Sequence, residues 1–145
     1  MTCAFFGHKE TPSSIKHLLE EEIRRMIEDE GCDNFLVGNQ GQFDAMVYSV
    51  LKQLRSDYPF IRCGVILAYL PSEKDEYAVI DPLDTVYPEG LEAVPKRFAI
   101  SHRNRWIVDN ADAVICYITH TYGGAYQAVS LAERKKLPII NLAGI

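Results

Sequence analysis

The chain alternates between two patterns of apolar and polar positions. Short, nearly continuous apolar runs are typical of strands buried on both faces of a parallel sheet, and they occur at residues 3–6, 35–37, 63–69, 113–118 and 138–142. Between these runs, apolar residues recur every three or four positions, which indicates amphipathic helices over residues 12–30, 43–54, 96–110 and 124–136. Thr11 is expected to cap the first helix and Gly31 to end it.

The regular alternation of strands and helices predicts an α/β fold. Strand–helix–strand units favour parallel pairing with helices on both faces, so we expect a three-layer α/β/α sandwich around a mostly parallel sheet of about five strands. A chain of 145 residues is expected to form a single domain, 1–145. Residues 71–95 break the pattern, since they hold four of the seven prolines. They are predicted to form an irregular surface excursion with a short extended piece at 85–87.

The net charge, the lengths of the apolar runs and the cysteine spacing argue against three classes of partner: nucleic acid, membrane and metal. A net charge of −5 supplies no extended basic surface, so extended nucleic-acid binding is not expected. No apolar run approaches the roughly 20 residues that cross a bilayer, and residues 1–8 lack the regions of a signal peptide. We therefore expect a cytoplasmic protein with no membrane partner. The four cysteines form no C-x-x-C pair, which argues against a metal site and favours core positions.

The segment Tyr122-Gly123-Gly124-Ala125-Tyr126 carries the strongest functional signal. It follows a buried strand and opens a helix, where paired glycines let backbone N–H groups approach a phosphate at the positive end of the helix dipole. Ligands of parallel sheets bind outside the carboxyl ends of the strands, so the loops after the first, second and fourth predicted strands are expected to form one pocket. The predicted contacts from the fourth-strand loop are Thr119, Thr121, Gly123, Gly124, Ala125 and Tyr126, with His120 either a ligand donor or a polar cap.

The other two loops add polar side chains to the predicted pocket. Gly7 and His8 follow the first strand; the His8 imidazole could donate to a phosphate or ribose oxygen, or the loop could be a solvated turn in which His8 only packs. The second loop sets two amides between glycines, and its predicted contacts with sugar or base are Gly38, Asn39, Gln40, Gly41 and Asp44. Asp44 is also the one catalytic candidate; alternatively, it only balances the dipole of the helix that it begins.

The helix before the fourth predicted strand carries two arginines. Arg103 or Arg105 could close over an anion with two hydrogen bonds, or both could lie on a solvated face. Arg105 and Asp109 are spaced for an ion pair along one helix face. Trp106 is expected in the core.

Four segments resemble, in order, the YpsA-like branch of the SLOG superfamily, which includes the LOG (Lonely Guy) and DprA/Smf proteins. They are CAFFGHK at 3–9, VGNQGQFD at 37–44, RNRWIVDNAD at 103–112 and YGGAY at 122–126. The resemblance covers nearly the whole chain. It implies a Rossmann-like sheet, a pocket for a nucleotide or nucleotide-derived ligand with no further cofactor required, and a homo-oligomer, since LOG-like relatives commonly dimerise.

The resemblance also bears on catalysis. LOG enzymes hydrolyse the N-glycosidic bond of cytokinin ribotides with a P-G-G-x-G-T-x-x-E motif. When that motif is laid on Gly123 and Gly124, Ser130 stands in place of its glutamate, and Glu133 lies three residues further on. The backbone cradle is therefore present without the motif acid, which favours binding over LOG-type hydrolysis.

Three functions follow from these observations. The first is a small domain that binds a nucleotide or an ADP-ribose- or NAD-like ligand as a sensor or regulator. The second is an enzyme that hydrolyses an N-glycosidic bond or transfers a deoxyribosyl group on nucleoside monophosphates, with Asp44 as nucleophile or stabiliser. The third is a protein-interaction module without a ligand, in which the glycine loops are only turns and residues 71–95 form the contact surface.

Overall fold

The computed structural model of the protein describes residues 1–70 and 80–144, and over these residues it contains six strands and four α-helices. The elements in chain order are β1 (Thr2–Gly7), α1 (Lys16–Glu30), β2 (Asn34–Val37), α2 (Gln42–Leu54), β3 (Arg62–Ile66), β4 (Thr85–Val86), α3 (Ala99–Asp109), β5 (Ala113–Tyr117), α4 (Gly124–Arg134) and β6 (Ile139–Asn141). Short 3-10 helices lie at Ser13–Ile15, Pro82–Asp84, Leu91–Ala93 and Lys96–Phe98.

All six strands form one parallel sheet in the order β4-β3-β2-β1-β5-β6. The predicted α/β sandwich with a Rossmann-like sheet is thus confirmed. The sheet has one strand more than the expected number because β4, within the extended piece predicted at 85–87, pairs with the end of β3. A strand of two residues is too short to show any periodicity in the sequence.

The core lies in two layers on opposite faces of the sheet. On one face, side chains of β1 and β2 such as Phe5 and Phe35 pack with the apolar stripes of α1 and α2. On the other face, alternate residues such as Ala4 and Leu36 pack with α3 and α4. Because successive residues of a strand point to opposite faces, each continuous apolar run serves both layers. The four cysteines are free and buried, as expected of small core residues.

The beginning of the first helix differs from the prediction. Thr11 lies too far before the helix to cap it, and its hydroxyl donates to the His8 carbonyl oxygen at 2.7 Å within the preceding loop. A 3-10 turn at Ser13–Ile15 comes first, and α1 starts at Lys16. The predicted end is confirmed, since Gly31 follows α1 in a left-handed conformation with φ +70°.

The third strand is shorter than the apolar run 63–69 that predicted it. It ends at Ile66, and the Leu67 N–H makes one more bond, to the Val86 carbonyl oxygen at 2.8 Å. Tyr69 and Leu70 are exposed beyond it. The neighbouring strand β4 ends at Val86, so the pairing between these two strands stops there.

The predicted excursion at 71–95 is covered only in part, because residues 71–79 lie outside the described residues. The described remainder is tied to the body of the protein through Asp84, which is 7% exposed. Its carboxylate accepts hydrogen bonds from the Tyr48 hydroxyl at 2.8 Å and from Arg55 at 2.7 Å. No helix in the described part of the chain is long and apolar enough to cross a membrane. The cytoplasmic location and the homo-oligomeric state stay predictions.

Candidate ligand-binding site

A cavity of about 670 Å³ lies at the carboxyl ends of β1, β2 and β5. The strand order places it there: the chain lays β2, β3 and β4 on one side of β1, then returns to lay β5 and β6 on the other. The loops after β1 and β5 therefore leave the sheet in opposite directions and open a crevice between them. Its lining residues are Phe5, Phe6, Gly7, His8, Lys9, Glu10, Gly38, Gln40, Asp44, Ile100, Arg103, Asn104, Thr119, His120, Tyr122, Gly123, Gly124 and Ala125.

The N-terminus of α4 opens into this cavity with its backbone donors uncapped. Gly123 precedes the helix with φ +94°, a conformation that favours glycine, and no described side chain caps the first turn. That turn contains no acidic residue. A Cβ atom placed on Gly124 would meet only the amide nitrogen of Asn104, at 4.0 Å. The free N–H groups and the positive end of the helix dipole therefore face open space that suits an anion.

The N-terminus of α2 begins in the same way but is occupied by the chain itself. Gly41 also has φ +94°, yet the Gln42 N–H donates to the Lys9 carbonyl oxygen at 2.8 Å. Asp44 lies in the first turn and accepts a hydrogen bond from the Gln40 N–H at 2.9 Å. A carboxylate at this point balances the helix dipole and repels an anion. Of these two glycine-led helix starts, only that of α4 is therefore available to a phosphate.

The buried carboxyl group of Asp44 and the buried guanidinium of Arg103 both lie against Gly38. A Cβ at Gly38 would lie 2.7 Å from Arg103 Nη1 and 3.0 Å from Asp44 Oδ2, so glycine is needed for both to approach the backbone. Arg103 is held by the Ile66 carbonyl oxygen at 3.0 Å and by the side-chain oxygen of Asn104 at 2.8 Å. The guanidinium is thus fixed in direction before any ligand arrives.

Burial shifts the protonation of both members of this pair. It raises the pKa of Asp44 from 3.8 to about 6, against the opposing effects of Arg103 and the Gln40 N–H. It also lowers the pKa of Arg103, against the attraction of Asp44. Both shifts run against the charged forms, so desolvation outweighs the mutual attraction of the pair. A ligand that hydrogen bonds to either group would offset part of this cost.

Three aromatic rings stack along one wall of the cavity. The His8 and His120 rings lie 3.5 Å apart at an interplanar angle of 14°, and the Tyr122 ring lies 3.8 Å beyond His120. His8 Nε2 accepts a hydrogen bond from the Thr119 N–H at 2.9 Å. Burial, and then the neighbouring His120, lower the pKa of His8. His8 therefore lines the cavity as a neutral imidazole whose Nε2 is occupied as an acceptor, and its donation to a ligand stays a prediction.

Three buried polar atoms have no hydrogen-bond partner among the described residues. They are Asn39 Oδ1, Gln40 Oε1 and His120 Nδ1. Gln40 and His120 line the large cavity, whereas Asn39 lines a neighbouring one of about 40 Å³. An unpaired buried polar atom costs about 1–3 kcal/mol, so each of these atoms is a natural contact for a bound molecule or a water.

The predicted contacts divide between the two cavities and the surface. Those that line the large cavity are Gly7, His8, Gly38, Gln40, Asp44, Arg103, Thr119, Gly123, Gly124 and Ala125. Asn39 and Gly41 line the smaller one. The predicted contacts that line neither cavity are Arg105, Thr121 and Tyr126.

Helix geometry explains how the arginines differ. Arg105 lies two positions after Arg103, so α3 turns it to a different face, where it is exposed. Its predicted partner Asp109 bonds instead to Lys135 of the segment after α4. Trp106 packs against the core but remains partly exposed, contrary to the core position expected for it.

Sequence reasoning missed several lining residues. Ile100 lies three residues before Arg103 and four before Asn104, so these three residues share the face of α3 that meets the cavity. That spacing could have found them. Lys9 and Glu10 belong to a loop already selected, but no feature of the sequence tells which of its side chains point inward. Among the described residues, no group of three or more His, Cys, Asp and Glu could hold a metal ion.

A family model described as YspA SLOG family (YpsA) matches residues 2–136 of the chain. The matched span runs from β1 to just beyond α4 and includes every residue that lines the large cavity. No curated protein matches the chain.

Proposed function

The chain belongs to the YspA SLOG family, and on that premise we propose that its large cavity binds a nucleotide or nucleotide-derived ligand. Family membership suggests a nucleotide-related function. Within that class, we propose an ADP-ribose- or NAD-like molecule or a nucleoside phosphate, which the protein binds as a sensor or regulator. The observation that carries this proposal is the uncapped N-terminus of α4, which faces a cavity of about 670 Å³.

The charges around the cavity favour one orientation of such a ligand. Phosphate groups would bind at the first turn of α4, beside Gly123 and Gly124. The opposite wall holds Asp44 and the unpaired amide oxygen of Gln40, which are acceptors for sugar hydroxyls or base amino groups. Arg103 lines the same cavity next to Gly38, as Asp44 does, and is a cation already fixed in direction. A ligand with an anionic end and a neutral end that carries hydroxyl and amino groups fits this arrangement.

Isothermal titration with a panel of nucleotides, NAD and ADP-ribose tests the proposal. The Gly124→Ala variant places a methyl group where the phosphate would lie, in space that is otherwise open. Backbone strain is not expected, because positive φ angles occur at the preceding Gly123 and not at Gly124. We expect at least about tenfold weaker binding with an unchanged unfolding midpoint, which corresponds to about 1.4 kcal/mol of binding energy.

Gly31→Ala is the matched control. Gly31 follows α1, at the opposite edge of the sheet from the cavity, so this variant should retain the wild-type affinity. Failure of the folded wild-type protein to bind any member of the panel at millimolar concentration would refute the proposal. Equal affinity of Gly124→Ala and wild type would show that the N-terminus of α4 is not the phosphate site.

A second candidate, hydrolysis or transfer at an N-glycosidic bond, rests on Asp44. This carboxyl group lines the cavity, is 8% exposed and has its pKa raised to about 6. Such a group could stabilise positive charge on a sugar or take a proton from water near neutral pH. Ser130 stands at the glutamate position of the LOG motif, and neither Ser130 nor Glu133 lines the cavity. Release of free base from nucleoside monophosphates tests this candidate, and turnover that survives Asp44→Asn would exclude the assigned role.

A further inference from the structure

We propose that His8 is a positioning residue, whose neutral imidazole latches the loop between β5 and α4 in the conformation that binds anions. This inference rests on the proposed function, because it concerns the same cavity. It assigns His8 a role other than that of a direct ligand donor. It also makes ligand affinity depend on pH in a direction opposite to that of a direct donor.

The latch consists of one hydrogen bond between distant parts of the chain. Thr119 donates its backbone N–H to His8 Nε2 at 2.9 Å across 111 positions of sequence. His8 is itself anchored, because its N–H donates to the Tyr117 carbonyl oxygen at 3.3 Å and its carbonyl oxygen accepts the Thr11 hydroxyl at 2.7 Å. The bond therefore connects the rigid end of β1 to the loop that leads to the anion site at Gly123.

Stacking fixes the plane of the imidazole so that Nε2 points at Thr119. The His120 ring covers one face of His8 at 3.5 Å, and Tyr122 covers the far side of His120 at 3.8 Å. Both of these residues belong to the loop that the latch holds. Residues 119–122 are thus attached to His8 through a hydrogen bond and a ring contact, directly before Gly123 turns the chain into α4.

Protonation opens the latch. An imidazole that accepts at Nε2 carries its single proton on Nδ1, and the imidazolium has two N–H groups and no acceptor. Acidification therefore breaks the bond to Thr119 and leaves that N–H unpaired. His8 stays neutral at neutral pH because burial and the adjacent His120 lower its pKa from the ordinary value of 6.5. The other titratable or charged side chains that line the cavity are Lys9, Glu10, Asp44, Arg103, His120 and Tyr122.

Two variants of His8 separate the hydrogen bond from the ring contact. His8→Phe keeps a planar ring against His120 but removes the acceptor, whereas His8→Gln places an amide oxygen close to the position of Nε2 and does not titrate. His17→Gln is the control, since this histidine is exposed on α1, where it pairs with Glu21.

ADP-ribose is the probe for the affinity measurement, because its diphosphate keeps its negative charge between about pH 8 and about pH 5. At neutral pH, we expect His8→Phe to bind it about tenfold more weakly than wild type, and His8→Gln and His17→Gln to bind within about twofold of wild type. Wild-type affinity should fall as the pH is lowered. In His8→Gln, only the part of this fall that comes from Asp44 should remain. An affinity that rises on acidification in wild type but not in His8→Gln would identify His8 as a direct donor and overturn the proposal.

NMR of the ligand-free protein tests the latch separately from the proposed function. We expect His8 to carry its proton on Nδ1 at neutral pH, and the Thr119 amide to exchange at least about tenfold faster in His8→Phe than in wild type. A proton on Nε2, or Thr119 exchange unchanged in His8→Phe, would overturn the proposal even if ADP-ribose binds. Wild-type protein that shows the latch but binds no member of the nucleotide panel would refute the proposed function, and the positioning role with it.

Discussion

Replacement of Asp44 by asparagine should stabilise the protein progressively as the pH rises from about 4 to about 7. The folded protein holds the Asp44 proton to a pKa of about 6, whereas the unfolded chain releases it near the ordinary 3.8. The protonated carboxyl group therefore makes its full contribution to the free energy of unfolding below pH 3.8. That contribution is lost as the pH rises through about 6. Between these two pKa values the loss is about 1.4 kcal/mol for each pH unit. The wild-type protein therefore loses about 3 kcal/mol relative to Asp44→Asn between pH 3.8 and about pH 6.

Arg103 does not change the sign of this prediction. Its attraction for the carboxylate is already included in the pKa of Asp44, which burial raises in spite of it. Asparagine keeps the shape of the side chain and an oxygen that can accept the Gln40 N–H. The variant therefore removes the titration while leaving the packing and this bond in place.

Urea unfolding of both proteins at about pH 4 and about pH 7 measures the effect. The difference between the two unfolding free energies should grow toward neutral pH, with the variant the more stable. Glu92→Gln removes an exposed acid and should follow the wild-type profile, because solvent surrounds that carboxylate. If wild type gained stability over Asp44→Asn with rising pH, Asp44 and Arg103 would form a net stabilising ion pair, and the argument from desolvation would be wrong.

Three further substitutions probe the framework of the site, each measured by urea unfolding at neutral pH. Gly7→Ala should cost at least about 2 kcal/mol, since the new Cβ would lie 2.2 Å from the buried Phe43 ring; a smaller loss would mean that this ring can move. Tyr48→Phe should cost about 1–3 kcal/mol through the lost hydrogen bonds to buried Asp84 and from the Asp81 N–H, and an unchanged midpoint would show that neither bond contributes. Gly31→Ala should cost only about 1 kcal/mol, from its φ of +70° with open space around it, and a loss as large as that of Gly7→Ala would contradict this.

The sequence was sufficient to predict the layers of the fold and the edge of the sheet that carries the cavity. Apolar stripes define α1 and α2, and continuous apolar runs define the buried strands. Because the strands are parallel, their carboxyl ends lie at the same edge of the sheet. Element ends were less predictable. Thr11 has the residue type of a cap, but α1 begins only at Lys16, after a 3-10 turn, and the Thr11 hydroxyl bonds to the His8 carbonyl oxygen within the loop. The residue at which the helix begins depends on the path of this loop, which residue types alone do not determine.

The individual side chains of the site were harder to predict than its loops. Gln40 and Asn39 are adjacent amides, yet Gln40 lines the large cavity and Asn39 lines the small one. Arg103 enters the site because Gly38 has no Cβ in its way, at a contact between residues 65 positions apart. The direction of His8 likewise depends on Thr119, at the far end of the chain. Contacts between distant residues therefore decide which polar residues face the cavity.

The two glycine-led helix starts show why a glycine signal needs its surroundings before it indicates a phosphate site. Gly41 and Gly123 have the same φ of +94°, and each precedes a helix at the same edge of the sheet. The Lys9 carbonyl oxygen already accepts the first N–H of α2, and the Asp44 carboxylate adds a negative charge to that turn. An anion at the N-terminus of α2 would have to displace the Lys9 carbonyl oxygen and would be repelled by the Asp44 carboxylate. The N-terminus of α4 has neither group in its first turn. The same local geometry thus suits one end of the cavity to phosphate and the other to hydroxyl or amino groups, and the proposed ligand would bind in a single orientation.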